Sequence, residues 1–125
     1  MQRLMCKGKI HRALVTEANL DYVGSVTIDE NLMDAANILP FEMVQITNMA
    51  NATLWRTYAM AGTRGSGIIC LNGPPARLFR PGDQVIILSM GIFDEQEIKT
   101  LTPQVVFVDT NNAIVRVHDS TNIQQ

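Results

Sequence analysis

Pro40-Phe-Glu42-Met-Val44-Gln-Ile46 and Pro81-Gly-Asp83-Gln-Val85-Ile-Ile87 carry one pattern, Pro-x-acid-x-Val-x-Ile, twice in the chain. In each copy the proline and the acid mark a turn, and the Val-x-Ile alternation marks a strand with one buried face. A turn feeding a strand is used twice; one such match can arise by chance in a β protein, but a pseudo-twofold β-barrel would explain it, and a closed barrel leaves no exposed strand edge. Outward from the two copies, Met43–Thr47, Leu54–Met60, Ile68–Leu71, Val85–Leu88, Val105–Val108 and Ala113–Val117 read as further short β runs between turn residues. Two short helices are expected, one capped by Asp29 with Leu32, Met33 and Ala36 on one face, the other capped by Asp94 and running from Glu95 to Leu101. Neither is long enough to organise the fold. Asn111-Asn112 reads as a hairpin turn, and Gly62-Thr-Arg-Gly-Ser-Gly67 as a longer connection.

The chain has 125 residues, with 12 Asp and Glu against 10 Lys and Arg. That length suits one domain, residues 1–125, able to bury roughly two-thirds of its unfolded surface. The acidic balance argues against a nucleic-acid partner, which needs basic residues in excess. A small anion needs only a local cation, and Arg3, Lys7, Lys9 and Arg12 precede the first acid, Glu17; by charge alone they read as a solvated basic strand end. Cys6 and Cys70 are far apart and His11 and His118 are the only histidines, so neither a zinc site nor a disulfide framework is indicated. The apolar stretch Val85–Met90 is far shorter than the ~20 residues of a membrane span, and the N-terminus has no signal-peptide core. The expected location is the cytoplasm, with no membrane partner. The polar stretch Asp119–Gln125 reads as a mobile tail.

The chain carries few of the familiar catalytic motifs. The chain has no nucleophile elbow, no His-Glu-x-x-His and no dinucleotide fingerprint, and the Gly62–Gly67 cluster lacks the Gly-Lys-Ser/Thr ending of a phosphate loop. An enzyme built on this sequence must bring its electrophile from elsewhere. Gly24-Ser25 is the candidate, because a serine after glycine can turn its hydroxyl onto the preceding carbonyl, with no side chain in the way and a backbone that tolerates strain. By itself the pair reads equally as a turn, as does Gly65-Ser66.

Its surroundings are more specific. Lys9-Ile-His11-Arg12, Thr16-Glu17-Ala18, Tyr22-Val-Gly24-Ser25, Ile28-Asp29, Asp34-Ala35-Ala36, Thr57-Tyr58, Arg64-Gly65-Ser66, Cys70-Leu-Asn72-Gly73 and Gly82-Asp83 stand in the register of the aspartate 1-decarboxylases. The chain resembles that family without gaps from about Met5 to Phe93. The resemblance implies a double-psi β-barrel, assembled as a homotetramer with active sites between subunits and made as an inactive proenzyme. It implies that Ser25 attacks the Gly24 carbonyl, splitting the chain into residues 1–24 and 25–125 and leaving a pyruvoyl group derived from Ser25, either spontaneously or with a maturation factor. The substrate amine of L-aspartate would form a Schiff base with that ketone, with no metal and no pyridoxal phosphate. Tyr58 would protonate the product. Thr57, Asn72, Gly73 and Lys9 would bind substrate, with His11 and Tyr22 in support. The implied activity is a carboxy-lyase making β-alanine for pantothenate and coenzyme A.

Two departures fall near the substrate. Leu54 stands where the family usually has an arginine for a substrate carboxylate, and Arg56, on the same strand face as Leu54 and Tyr58, is the possible replacement. Pro74-Pro75 follow Asn72-Gly73 where small residues are usual, and neither proline has an N–H to offer. These departures favour, as one alternative, the same fold and cofactor acting on another acidic amino acid. A second alternative is an uncleaved, non-catalytic barrel that serves as an interaction protein.

Overall fold

The described residues form nine strands: β1 (Arg3–Leu14), β2 (Glu17–Asn19), β3 (Ser25–Asp29), β4 (Met43–Asn48), β5 (Leu54–Gly62), β6 (Ile69–Asn72), β7 (Gln84–Phe93), β8 (Gln104–Val108) and β9 (Ile114–His118). The computed structural model describes residues 1–118, so the expected mobile tail lies outside the described residues. The strands are ordered β2-β6-β3-β5-β4-β7-β1-β8-β9. Three of the pairings, β1 with β8, β2 with β6 and β3 with β5, are parallel between strands distant in sequence. β1, the longest strand, escapes a search for strict alternation because two register shifts, between Cys6 and Gly8 and between Ile10 and Ala13, break its period.

The repeat read from the sequence is a structural repeat down to individual hydrogen bonds. In the first copy the Leu39 N–H donates to Glu42 Oε1 at 3.0 Å, and in the second the Arg80 N–H donates to Asp83 Oδ2 at 2.9 Å. The residue between proline and acid is left-handed both times, Phe41 at φ 70° and Gly82 at φ 93°. Each turn then grips one residue of a distant segment: Phe41 N–H and Glu42 C=O bind Ala59, while Gly82 N–H and Asp83 C=O bind Val15. The strands that follow, β4 and β7, pair antiparallel with Val44 opposite Ser89 and Asn48 opposite Val85, a register that maps onto itself when the copies are exchanged. Even the strand ends correspond, since Asn48 donates to Asp83 at 2.8 Å and Ser89 donates to Glu42 at 3.1 Å. Two interlocked copies of one strand-and-loop unit make this a double-psi β-barrel.

Its interior is apolar, with Ile10, Val26, Ile28, Met33, Ile46, Leu71, Phe79, Val85, Ile87 and Val106 all buried. The short helices form where expected. α1 (Glu30–Ala35) starts at Asp29, whose carboxylate accepts the Asn31 N–H, and buries Leu32 and Met33; α2 (Glu95–Thr100) starts at Asp94 in a reciprocal capping box with Glu97. Asn112 of the expected hairpin turn is fully buried, and its carboxamide binds the Leu14 N–H and C=O and the Gly67 C=O.

The basic N-terminal cluster is corrected at one position. Lys7 is not solvated but largely buried, 2.7 Å from Glu42 and donating to the Asn37 carbonyl. Burial pushes the Glu42 carboxyl upward, yet the Lys7 ammonium, the Leu39 N–H and the Ser89 hydroxyl outweigh it and hold the group below its ordinary value. The Arg80 N–H, with Asn48, lowers Asp83 in the same sense. Groups lowered on folding add stability above the unfolded carboxylate pKa, and that stability is lost as the pH falls through the folded value. Thermal unfolding followed from about pH 7 down to about pH 3 is therefore expected to show a midpoint that drops below ~4. Glu42→Gln should flatten that drop, and an unchanged slope would remove Glu42 from the account.

Candidate active site

β3 and β6 pair antiparallel with Ser25 opposite Asn72 and Thr27 opposite Cys70. Alternation sends Val26 and Leu71 into the core and leaves Ser25, Thr27, Asn72 and Cys70 together on the other face. Within this square the Asn72 Nδ2 amine donates to Ser25 Oγ and to Thr27 Oγ1, each at 3.1 Å, and the Cys70 thiol donates to Asn72 Oδ1 at 3.2 Å. Ser25, Asn72 and Cys70 are buried. Burial pushes the Cys70 thiol up, and the Glu17 carboxylate beside it on β2 adds to the shift, so the sulfur stays protonated and remains a donor.

The strained backbone lies elsewhere than the sequence suggested. Gly24 has no left-handed φ, and a Cβ there would meet only ordinary contacts, the Asn72 carbonyl at 3.7 Å and Pro74 Cδ at 3.9 Å. The strained glycine is Gly73, at φ 79°, where a Cβ would lie 2.9 Å from Gly24 Cα, 3.1 Å from Gly24 N and 3.2 Å from the Tyr22 carbonyl oxygen. The Gly73 N–H also donates to the Asn19 carbonyl at 2.8 Å, so the segment from Asn19 to Ser25 folds back over a residue without a side chain. Pro74 and Pro75 open a 3₁₀ turn, Pro74–Arg77, where missing N–H groups leave no intrahelical bond unmade. The Tyr22 ring is exposed, and its carbonyl rather than its ring meets Gly73. Gly73→Ala is expected to displace this loop, adding left-handed strain of about 1 kcal/mol to a backbone clash. Amide hydrogen exchange across residues 19–25 should rise by at least about tenfold, and an unchanged pattern would show that the loop does not depend on this approach.

Tyr58 comes to the square from β5. In the parallel β3–β5 ladder Val26 stands opposite Ala59, so one step back along both strands brings Ser25 and Tyr58 to the same level. Tyr58 is half-buried and stacks on Phe41, ring centres 6.0 Å apart, a neighbour that sequence reasoning missed because Phe41 reaches it only through the left-handed turn. Leu54 and Arg56 share the outward face with Tyr58, as alternation predicts, and Arg56 makes one long bond, 3.4 Å, to Gln45. Thr57 faces the other way and is buried.

Lys9 and His11 stand on β1, which pairs with β7 and β8 and is no ladder neighbour of β3, β5 or β6. His11 meets Phe107 edge-on at 5.3 Å, and burial, then Lys9 and Arg12, lower its pKa, which keeps it neutral at pH 7. Among the described residues its Nδ1 is the single buried side-chain polar atom with no hydrogen-bond partner. No group of three or more His, Cys, Asp or Glu is placed to hold a metal, and no helix is long and apolar enough to cross a membrane, both among the described residues.

A buried serine held by an asparagine, a side-chain-free approach to the glycine before it and a tyrosine at its level are thus built from three segments distant in sequence. The family profile described as aspartate decarboxylase matches residues 1–115. Among curated proteins, the aspartate 1-decarboxylase of Acetivibrio thermocellus is 58% identical over 113 residues, 90% of each chain. That of Thermoanaerobacter pseudethanolicus is 56% identical over 117 residues, covering 94% of this chain and 100% of the relative. A Bacillus cereus protein of the same name is 54% identical, also over 94% of this chain. Profile and relatives alike span both copies of the barrel repeat and every residue of the Ser25 square, and on that breadth of agreement the chain belongs to the aspartate decarboxylase family.

Proposed function

We infer that the chain is a carboxy-lyase that converts L-aspartate to β-alanine and CO2, the β-alanine serving pantothenate and coenzyme A synthesis. The observation that carries this reading is Ser25, buried and hydrogen-bonded to Asn72, directly after a glycine whose N and Cα pack on Gly73. The chain is made as a proenzyme. Ser25 Oγ bonds the Gly24 carbonyl carbon as the Gly24–Ser25 C–N bond breaks, giving an ester and a free Ser25 amine. Loss of the Ser25 Cα proton expels the Gly24 carboxylate and leaves dehydroalanine; tautomerisation, addition of water and departure of ammonia finish the step. Residues 1–24 and 25–125 result, and the second begins with a pyruvoyl group.

The residues present fit that group. It needs a small, flat space at the start of β3 and hydrogen-bond donors at its edge, and Gly73 and the Asn72 amine supply these. When formed, it supplies a ketone that takes the substrate amine and accepts the electron pair released with CO2. Everything else falls to side chains. Asn72 and Gly73 bound the site, Lys9 contacts substrate, and Tyr58 holds a proton to return to the substrate carbon, while Thr57, turned to the barrel interior, backs the strand that carries Tyr58. His11 presents a neutral imidazole, and Tyr22 helps shape the cleavage loop. The absence of a ladder between β1, which carries Lys9 and His11, and β3, with the exposed Phe41, Met43 and Leu54 on the side of Tyr58, supports a site completed by a second copy within a cytoplasmic homotetramer.

Arg56 takes the substrate carboxylate that Leu54 cannot bind. Its loose bond to Gln45 leaves the guanidinium free to turn. Arg56→Ala should raise the KM for aspartate by about tenfold, the size of one lost charged contact; an unchanged KM would remove Arg56 from the site.

Intact-mass spectrometry under denaturing conditions tests the whole reading. Two fragments divided after Gly24, with a summed mass showing one water gained and one ammonia lost, followed by β-alanine release from aspartate, support it. A chain that stays whole after prolonged incubation with and without host extract overturns it, and cleaved protein that prefers another acidic amino acid corrects the substrate.

A further inference from the structure

The Asn72 carboxamide can be seated two ways, with its amine or its oxygen toward Ser25, and the two have opposite consequences for a serine that must lose a proton. With the amine inward, Asn72 donates to Ser25 Oγ, leaves the serine proton free to depart, and stabilises charge developing on that oxygen. With the oxygen inward, the Ser25 hydroxyl would donate to Asn72 and its lone pairs would lose that donor. A carboxamide does not choose between these on its own.

Its neighbours differ in where they sit. The Ser25 and Thr27 hydroxyls lie on the Nδ2 side, while the Cys70 sulfur lies 3.2 Å from Oδ1, an atom with no hydrogen, to which the thiol can only donate. All four groups sit as cross-strand and next-but-one neighbours on one face of β3 and β6, with Ser25, Asn72 and Cys70 buried. We propose that Cys70 and Thr27 are positioning residues for maturation: the Cys70 thiol pins the Asn72 oxygen, Thr27 takes one amine proton, and the remaining one is thereby directed at Ser25 Oγ. Neither touches the scissile peptide; both act through Asn72. This rests on the cleavage at Gly24–Ser25 inferred above.

The rate of precursor cleavage, followed by intact mass from the end of synthesis, tests it in the full chain. Cys70→Ala is expected to lengthen the half-time by about tenfold, the effect of one lost hydrogen bond, and Thr27→Val by a similar factor. Cys70→Ser, which restores a donor, should return the rate to within about threefold of the parent. Thermal midpoints taken alongside separate a lost fold from a lost orientation. Cys70→Ala cleaving at the parental rate overturns the proposal, and so does Cys70→Ser as slow as Cys70→Ala, which would assign the effect to packing. Should the parent chain itself never cleave, the reading of Ser25 fails separately, and side-chain amide exchange of Asn72 decides the orientation. Faster exchange in Cys70→Ala than in the parent supports the pin; equal exchange overturns it.

Discussion

Ser25→Ala is expected to give a single unbroken chain with no detectable aspartate turnover, however long it is incubated. A methyl group has no lone pair to place on the Gly24 carbonyl, so neither the ester nor the group that would follow can form. The substitution is sterically mild: Ser25 is buried, its main chain stays paired with Asn72, and only one hydrogen bond from Asn72 is lost. The expected loss of stability is about 1 kcal/mol, well within what a domain of this size tolerates. Intact mass, thermal unfolding and a hydrazide probe for ketones form the check. A folded Ser25→Ala protein that still divides after Gly24, or still releases β-alanine, would show that the chemistry begins elsewhere.

Tyr58→Phe is expected to separate maturation from turnover. The ring and its stacking on Phe41 are preserved, so the fold and the β3–β5 ladder should be unaffected. Cleavage should proceed to completion, because Ser25 and Asn72 are intact. Turnover of aspartate should fall by about 10²–10⁴-fold, the usual contribution of a positioned proton donor. The fall belongs in kcat rather than KM, since the hydroxyl is needed when the proton is delivered and not when substrate binds. A kcat within a few-fold of the parent would transfer the role to another group, and a block in cleavage would place Tyr58 in maturation instead.

The mainly β class, both helix caps, the hairpin at Asn111-Asn112 and the twofold repeat were legible in the sequence because each depends on local patterning: alternation, a carboxylate before an apolar stripe, a proline before an acid. The Ser25 site was legible through a different route, the register of several motifs with a known family, since Gly24-Ser25 taken alone reads as a turn. What stayed hidden were relations between segments. Nothing local says that Lys7 is buried against Glu42, because that pairing depends on where β1 passes the first Pro-x-acid turn. Nothing local moves the strained glycine from Gly24 to Gly73, because the demand on Gly73 comes from Gly24 and Tyr22 pressing on it from another loop. The tertiary structure alone decided that Cys70 and Thr27 share the Asn72 carboxamide with Ser25, and that the strand carrying Lys9 and His11 pairs with neither β3 nor β6. Alternation fixes which face a side chain takes, but only the register between strands fixes what it meets there.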